Sequence, residues 1–279
     1  MSGSAPFAVE LATLRWGEHT SQAPAVLLLH GIPSAAGTWW RVASLLAEQG
    51  CAVTAADLRG HGASPRTTDY SLDGYAADVV RLRPGAGTDE MAAGTTGGER
   101  PWDLVIGHSL GGAVSVVAAA AAPRWARTLL LLDPVIAVDH EEADDLVADL
   151  LGDLEELDPA ELLRRHPRWH AEDAVQKVLA ARVVSPFVVE RTVLDNTTSG
   201  PAAGRWQLDQ SLAALAPRVH VLAADPECGA IFSPQQGAAL TAATADATVQ
   251  TVVGAGHSVH RDAPGIVVAA ALALMGQGR

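Results

Sequence analysis

The sequence predicts an α/β fold, in which helices flank a mostly parallel central sheet and an all-helical segment interrupts the sheet once. Before residue 138, short apolar runs alternate with helical patterns, and the same alternation returns after about residue 213. The residues between these two parts carry helical patterns alone. We therefore expect residues 1–138 and 207–279 to form one core domain, and residues 139–206 to form a helical insertion.

The predicted strands follow one another as short runs. Four of them are apolar nearly throughout, as expected for strands covered by helices on both faces: AVLLLH (25–30), CAVTAAD (51–57), DLVIGH (103–108) and TLLLLD (128–133). FAVELATLRW (7–16) is closer to alternating and fits an antiparallel edge strand. VHVLAA (219–224) and TVQTVV (248–253) follow the insertion. Helices are predicted at about 36–49, 72–82, 110–122, 234–245 and 262–276.

The insertion begins with an acidic segment. Residues 139–161 contain eleven Asp and Glu residues, while leucine and valine recur at helical spacing. This pattern predicts an amphipathic helix with an acidic outer face, either continuous or broken at Gly152. The glycine-rich stretch at 83–101 predicts a mobile surface loop.

Composition narrows the function classes. The chain has 279 residues, 48% of them hydrophobic, and a net charge of −13. An acidic surface disfavours both nucleic acid and anionic membranes as partners. The start of the sequence lacks the pattern of a signal peptide, and no run of 18 apolar residues occurs, so we expect a cytoplasmic protein. Cys51 and Cys228 match neither a metal motif nor a disulfide framework.

The strongest chemical motif surrounds Ser109. DLVIGHSLGGAV places G-H-S-L-G between a predicted strand and an alanine-rich helix, the setting of a nucleophile elbow. Gly107 and Gly111 flank the serine because side chains there would collide with the adjoining strand and helix. The alternative is that Ser109 only caps an ordinary helix.

Four motifs together resemble those of the α/β-hydrolase superfamily, in the lid-bearing members: HGIPSAAGTWW (30–40), DLRGHGAS (57–64), GHSLGG (107–112) and GAGHSVHRDAP (254–264). The resemblance covers nearly the whole chain. It implies a sheet of about eight strands, with residues 139–206 as a helical lid inserted after strand 6.

The resemblance also implies a catalytic apparatus. A serine nucleophile needs a base, and His257 lies in a glycine-flanked loop after the last predicted strand, where this fold returns its histidine. His260 is the alternative base. The oxyanion hole would be formed by the backbone N–H groups of Ile32 and Leu110. Structural roles are expected for His30, His61 and His108.

The acid that orients the histidine is open between three carboxylates. Asp225, which is followed by proline as in many relatives, is the first choice for the triad. Glu227 is selected instead if residues are counted from the strand end. Asp133 follows TLLLLD, where some relatives carry the acid, although it could equally cap that loop.

The lid and the mouth of the cleft should recognise substrate. We expect a hydrophobic cleft with a small apolar substrate, and name as its walls Trp39, Trp40, Trp169, Phe187 and Trp206. Each tryptophan could equally be plain core. No cofactor or metal is expected, since His166 and His170 lack an obvious third ligand and Gly254 with Gly256 lacks the nucleotide-binding setting.

The predicted activity is hydrolysis of a small apolar ester or lactone by a serine hydrolase. Relatives that open epoxides or remove halides use an aspartate where this chain has Ser109, so those activities are disfavoured. The alternatives are a C–C bond hydrolase, a cofactor-free haloperoxidase, and a small-molecule receptor with little turnover. A homodimer is possible.

Overall fold

The computed structural model describes residues 7–85, 100–155, 158–197, 206–244 and 246–276. Its centre is a sheet of seven strands: β1 (Thr13–Trp16), β2 (Ala25–Leu29), β3 (Ala52–Ala56), β4 (Leu104–His108), β5 (Thr128–Leu132), β6 (Arg218–Ala223) and β7 (Ala247–Thr251). The strand order is β1-β3-β2-β4-β5-β6-β7, and only the β1–β3 pair is antiparallel. The predicted α/β fold and its antiparallel edge strand are confirmed.

The strand count differs from the expected eight. Seven strands lie in the described residues. The helical insertion follows the fifth of them in chain order, not the sixth. The numbering differs because a single antiparallel strand, β1, precedes the parallel strands in the described residues. The predicted loop at 83–101 lies mostly outside the described residues.

Eleven α-helices are described: α1 (Trp40–Glu48), α2 (Leu72–Val79), α3 (Leu110–Ala121), α4 (Ala143–Glu155), α5 (Pro159–Arg165), α6 (Ala171–Val183), α7 (Pro186–Thr197), α8 (Asp209–Ala213), α9 (Pro234–Ala243), α10 (Val259–Asp262) and α11 (Pro264–Gly276). Local chemistry fixes several of the helix starts. Ser233, for example, accepts a hydrogen bond from the N–H of Gln236, whose side chain bonds back to Ser233.

The core lies on both faces of the sheet, as the apolar strands predict. Leu27 and Leu29 of β2 pack into one hydrophobic cluster, and Val26 and Leu28 pack into the other. Successive side chains of a strand point to opposite faces, so a continuously apolar strand requires cover on both. Because β2, β4 and β5 pair in parallel, their carboxyl ends meet at one edge of the sheet.

The insertion packs directly on this core. Helix α4 turns Leu146, Leu150 and Leu154 toward the cluster that contains Leu27, which confirms its amphipathic pattern. It runs through Gly152 without a break. No helix of the described ranges has the length and apolar character needed to cross a bilayer. The cytoplasmic location stays a prediction.

Helix α7 is tied to α2 by polar contacts as well. The Asn196 side chain accepts from the N–H of Leu72 at 2.9 Å and donates to the carbonyl of Tyr70 at 3.1 Å. The hydroxyls of Tyr75 and Thr192 lie 2.8 Å apart. All these groups are buried, so this part of the insertion is fixed against α2 and the residues before it.

Candidate active site

Ser109 lies in a tight turn between β4 and α3, with φ 53° and ψ −118°. This left-handed backbone conformation is uncommon for a residue other than glycine. A Cβ atom on Gly107 would lie 2.4 Å from the carbonyl oxygen of Gly111, and one on Gly111 would lie 2.2 Å from the carbonyl oxygen of Leu29. The predicted elbow is therefore present, and side chains at its flanking glycines would collide with backbone as expected.

His257 is bonded to a buried carboxylate, that of Asp133. The His257 Nδ1–H group donates to Asp133 Oδ2 at 2.7 Å. Asp133 is fully buried and also accepts from the backbone N–H groups of Ala224, Ile231 and Phe232 at 2.9–3.2 Å. Four donors thus hold one carboxylate in place, and its bond to Nδ1 orients the imidazole.

Sheet topology explains why Asp133 lies beside Ser109. Strand β5 pairs with β4, and His108 is in register with Leu132, so the residues that follow each strand are neighbours. The Ser109 N–H donates to the carbonyl of Leu132 at 3.1 Å. The carboxyl ends of adjacent parallel strands thereby place Ser109 and Asp133 at the same edge.

The structure corrects the expectation that Asp225 pairs with His257. The Asp225 carboxylate accepts from the N–H groups of Gly254 at 2.6 Å and Glu227 at 3.0 Å, so it caps its own loop. These backbone donors lower the pKa of Asp225. Glu227 is exposed. Both residues follow β6, one strand farther from Ser109 than the end of β5.

The loop after β2 approaches Ser109 closely. A Cβ on Gly31 would lie 2.9 Å from the Cβ of Ser109, so only glycine fits there. His30 holds this loop: its Nδ1–H donates to the carbonyl of Gly31 at 2.7 Å, and its Nε2 accepts from the N–H of Leu58 at 3.0 Å. Burial lowers the pKa of His30 to about 4, so it is neutral at pH 7.

Two further buried histidines surround His257. The rings of His108 and His257 lie 4.6 Å apart, as do those of His108 and His260. The His108 Nε2–H group donates to the carbonyl of His257 at 3.0 Å. Burial lowers the pKa of both His108 and His260 well below the usual value, so neither adds a second charge beside His257.

A cavity of about 500 Å³ opens at this site. The loop residues Gly31, Ile32 and Pro33 line it on one side and His257 on another. Helices α4 to α6 of the insertion, with the loops between them, supply the opposite wall. The site therefore lies between the sheet edge and the insertion.

The comparisons with known proteins agree with this geometry. A sequence profile described as the alpha/beta hydrolase family matches residues 26–271. The chain belongs to this family. Among solved structures, that of E-2-(acetamidomethylene)succinate hydrolase superposes on 95% of both chains with a TM-score of 0.72 and 22% identity.

Two curated relatives of this α/β hydrolase are lipases. One is lipase LipV of Mycobacterium tuberculosis, 33% identical over 55% of this chain, a match that spans about half of that lipase (52%). The other is the sn-1-specific diacylglycerol lipase ABHD11 of Mus musculus, 23% identical over 86% of this chain and 77% of that protein.

Most of the predicted substrate walls lie elsewhere in the hydrolase. Trp39 is fully buried in the core, and Trp206 is buried with its indole N–H donating to the carbonyl of Val135. Trp40 bonds Asp173 on α6, and Phe187 is 48% exposed on the surface of the insertion. Trp169 alone of the five lines the cavity.

The cleft that the sequence predicts to be hydrophobic also carries charge. Four cationic side chains line the cavity, those of Arg165, Arg168, Lys177 and Arg261. The sequence analysis does not name these four residues as ligand contacts. Arg261 is the one that a motif could have indicated, because it lies four positions after His257 in GAGHSVHRDAP.

Across the described ranges, no three His, Cys, Asp or Glu side chains are grouped as a metal site would require.

Proposed function

We propose that this α/β hydrolase is a serine hydrolase that cleaves a small ester or lactone through Ser109, His257 and Asp133. The observation that carries the proposal is the 2.7 Å bond between His257 and the buried Asp133, at the sheet edge that also holds the strained Ser109 turn. Family membership and the two lipase relatives support hydrolysis as the reaction class.

The residues then have distinct roles. His257 takes the proton of the Ser109 hydroxyl as that oxygen attacks the substrate carbonyl, and later returns the proton to the leaving alcohol. Asp133 keeps the His257 Nδ1 position protonated and stabilises the imidazolium. Water then releases the acid from the acyl-enzyme with the same histidine as base.

Two backbone groups are proposed for the oxyanion hole, the N–H groups of Ile32 and Leu110. Leu110 begins α3 directly after Ser109, and the positive end of the helix dipole favours negative charge there. Ile32 lies in the loop that Gly31 brings against Ser109. Both positions are the ones that the H-G-I-P and G-H-S-L-G motifs predict.

A lid role is proposed for the insertion, because helices α4 to α6 wall the cavity opposite the sheet. Helix α6 contacts the H-G-I-P loop directly: the Lys177 ammonium donates to the Pro33 carbonyl at 3.3 Å. This contact couples the insertion to the loop that carries Ile32.

Turnover of a short-chain chromogenic ester by wild type and by Ser109→Ala tests the proposal. We expect wild-type hydrolysis above background and a loss of at least about 10³-fold in kcat for the variant. Equal rates for the two proteins would overturn the serine mechanism. Specific binding of small molecules without any turnover would favour the receptor function instead.

A further inference from the structure

The cavity has a charge opposite to that of the whole chain. The chain carries a net charge of −13, but the cavity is lined by four cationic side chains and only two carboxylates, those of Asp153 and Asp262. A wall lined with positive charge concentrates anions.

Both carboxylates of the lining are already engaged. Asp153 accepts from the Lys177 ammonium at 2.9 Å, so these two charges pair with each other. Asp262 accepts from the indole N–H of Trp169 at 3.0 Å and from the N–H of Gly256 at 2.9 Å. Neither carboxylate makes an ion pair with Arg261.

Arg261 is a buried cation of the cavity wall that makes no direct ion pair within the described residues, although the charges of Asp173, Asp153 and Asp262 act against the lowering of its pKa by burial. Its side chain is 4% exposed, and its hydrogen bond to the Ser258 hydroxyl is long, at 3.3 Å. Its Nε atom is buried and has no hydrogen-bond partner in the part of the chain that the structure describes. Within the described ranges, no carboxylate oxygen lies within 4.0 Å of its nitrogens.

An unpaired buried guanidinium is costly, so it calls for a reason. Stacking supports it in part, since the guanidinium carbon lies 4.8 Å from the Trp169 ring centroid. Burial lowers the pKa of Arg261 to about 10, which leaves it charged at neutral pH. Its planar fork of N–H donors matches a carboxylate.

We propose that the substrate of this hydrolase carries a carboxylate, and that Arg261 binds this group while the scissile carbonyl lies at Ser109. The proposal rests on the proposed serine hydrolase function and specifies its substrate class. Arg261 lines the same cavity as His257 and as Gly31, the residue that packs against Ser109. The exposed guanidinium of Arg168, which packs against Gly254, adds positive charge to the same lining.

A matched pair of esters tests the proposal. The anionic ester is the mono-4-nitrophenyl ester of adipic acid, and the neutral one is the 4-nitrophenyl ester of adipamic acid, which has an amide in place of the carboxylate. For wild type we expect kcat/KM to be at least about tenfold higher for the anionic ester. For Arg261→Met we expect this ratio to fall at least tenfold, with Arg261→Lys between the two.

The control is Arg164→Met, since Arg164 is exposed on α5, pairs with Glu161 and does not line the cavity. This variant should keep the wild-type ratio. If Arg261→Met does not fold, the wild-type ratio decides together with inhibition: adipate should compete with the neutral ester, and adipamide should not.

The outcomes separate the two proposals. A wild type that hydrolyses both esters equally, or an Arg261→Met variant that keeps the wild-type ratio, would overturn carboxylate binding and leave the serine hydrolase function intact. If wild type hydrolyses neither ester faster than Ser109→Ala does, both proposals fail.

Discussion

At the scale of single residues, the carboxylate that bonds His257 shows which information local sequence motifs do not contain. Ser109 and His257 are recognisable from local motifs, because each motif contains the turn residues that its geometry needs. The partner of His257 depends on the order of strands in the sheet, which no local pattern contains. Asp133 is one of the three carboxylates that the sequence offers, but Asp-Pro at 225 resembles the pattern of relatives more closely.

The Asp133 assignment predicts a clear difference between two variants. Asp133→Asn should lower kcat by about 10³–10⁴-fold, because an amide cannot keep the His257 tautomer and orientation. Asp225→Asn should stay within a few-fold of wild type, since among the described residues that carboxylate accepts from the backbone N–H groups of Gly254 and Glu227 and not from His257. Steady-state kinetics with one chromogenic ester measures both, and the reverse ranking would contradict the assignment.

Aromatic residues show the same limit. A tryptophan suits a core and a ligand wall equally well in sequence, and burial alone separates them. Trp39 and Trp206 proved to be core, while Trp169 lines the cavity. The charges of the wall were hidden because Arg165, Arg168, Lys177 and Arg261 come together only in the fold.

At the scale of elements, the sequence predicts the core strands to within two residues at each end. This works because apolar runs, glycines and prolines act locally, and the parallel sheet requires strands that are apolar on both faces. Local patterns of this kind do not decide whether the helix breaks at Gly152. A helical glycine costs little when packing supports the helix, and here Leu150 and Leu154 pack on the core on either side.

Two glycine-to-alanine variants test the role of the elbow. At Gly111 a Cβ would lie 2.2 Å from the Leu29 carbonyl oxygen, so Gly111→Ala should lower the free energy of unfolding by at least about 2 kcal/mol. At Gly152 a Cβ meets no atom within 4 Å, so Gly152→Ala in α4 should raise it by about 0.5–1 kcal/mol.

Urea denaturation of both variants measures these changes. The pair is matched, because both glycines lie inside helices and gain only a methyl group. Wild-type stability for Gly111→Ala would show that β2 and α3 can separate, and would contradict the close packing that shapes the turn at Ser109.

At the scale of the whole molecule, buried neutral histidines couple stability to pH. Burial lowers the pKa of His30 to about 4 and that of His61 to about 3. Below their ordinary pKa of 6.5, the unfolded chain binds protons that the folded chain does not. The free energy of unfolding is therefore not reduced by these two histidines above about pH 6.5. It falls as the pH drops below 6.5 toward their folded-state pKa values of about 4 and about 3.

We expect the free energy of unfolding to fall by about 2 kcal/mol for each of these two histidines between pH 7 and pH 5. Urea titrations at several pH values measure the slope. His61→Asn should reduce this slope by the equivalent of about one bound proton, because asparagine does not titrate. Its side-chain amide can still donate to the Arg59 carbonyl that His61 bonds at 3.0 Å. A flat wild-type profile from pH 7 to pH 5 would contradict this reading.

Net charge, a whole-molecule property, was the least informative guide to the site. The value of −13 correctly describes an acidic chain, but it implies nothing about a cavity wall whose own charge is positive. The expected apolar substrate followed from the aromatic residues proposed as cleft walls and from the apolar character of most small-molecule clefts. The position of Arg261 in the cavity wall instead supports the proposal of a charged one.

The central claim is that Ser109 is the nucleophile of a hydrolase, and the comparison of wild type with Ser109→Ala tests it most directly. Ester turnover is measured for both proteins, and each is then treated with a serine-directed phosphonate and analysed by mass spectrometry. The account predicts that wild type hydrolyses the ester and gains one phosphonyl group on the peptide containing Ser109, while the variant does neither. An inert, unlabelled wild type would contradict the claim, as would equal turnover by the two proteins.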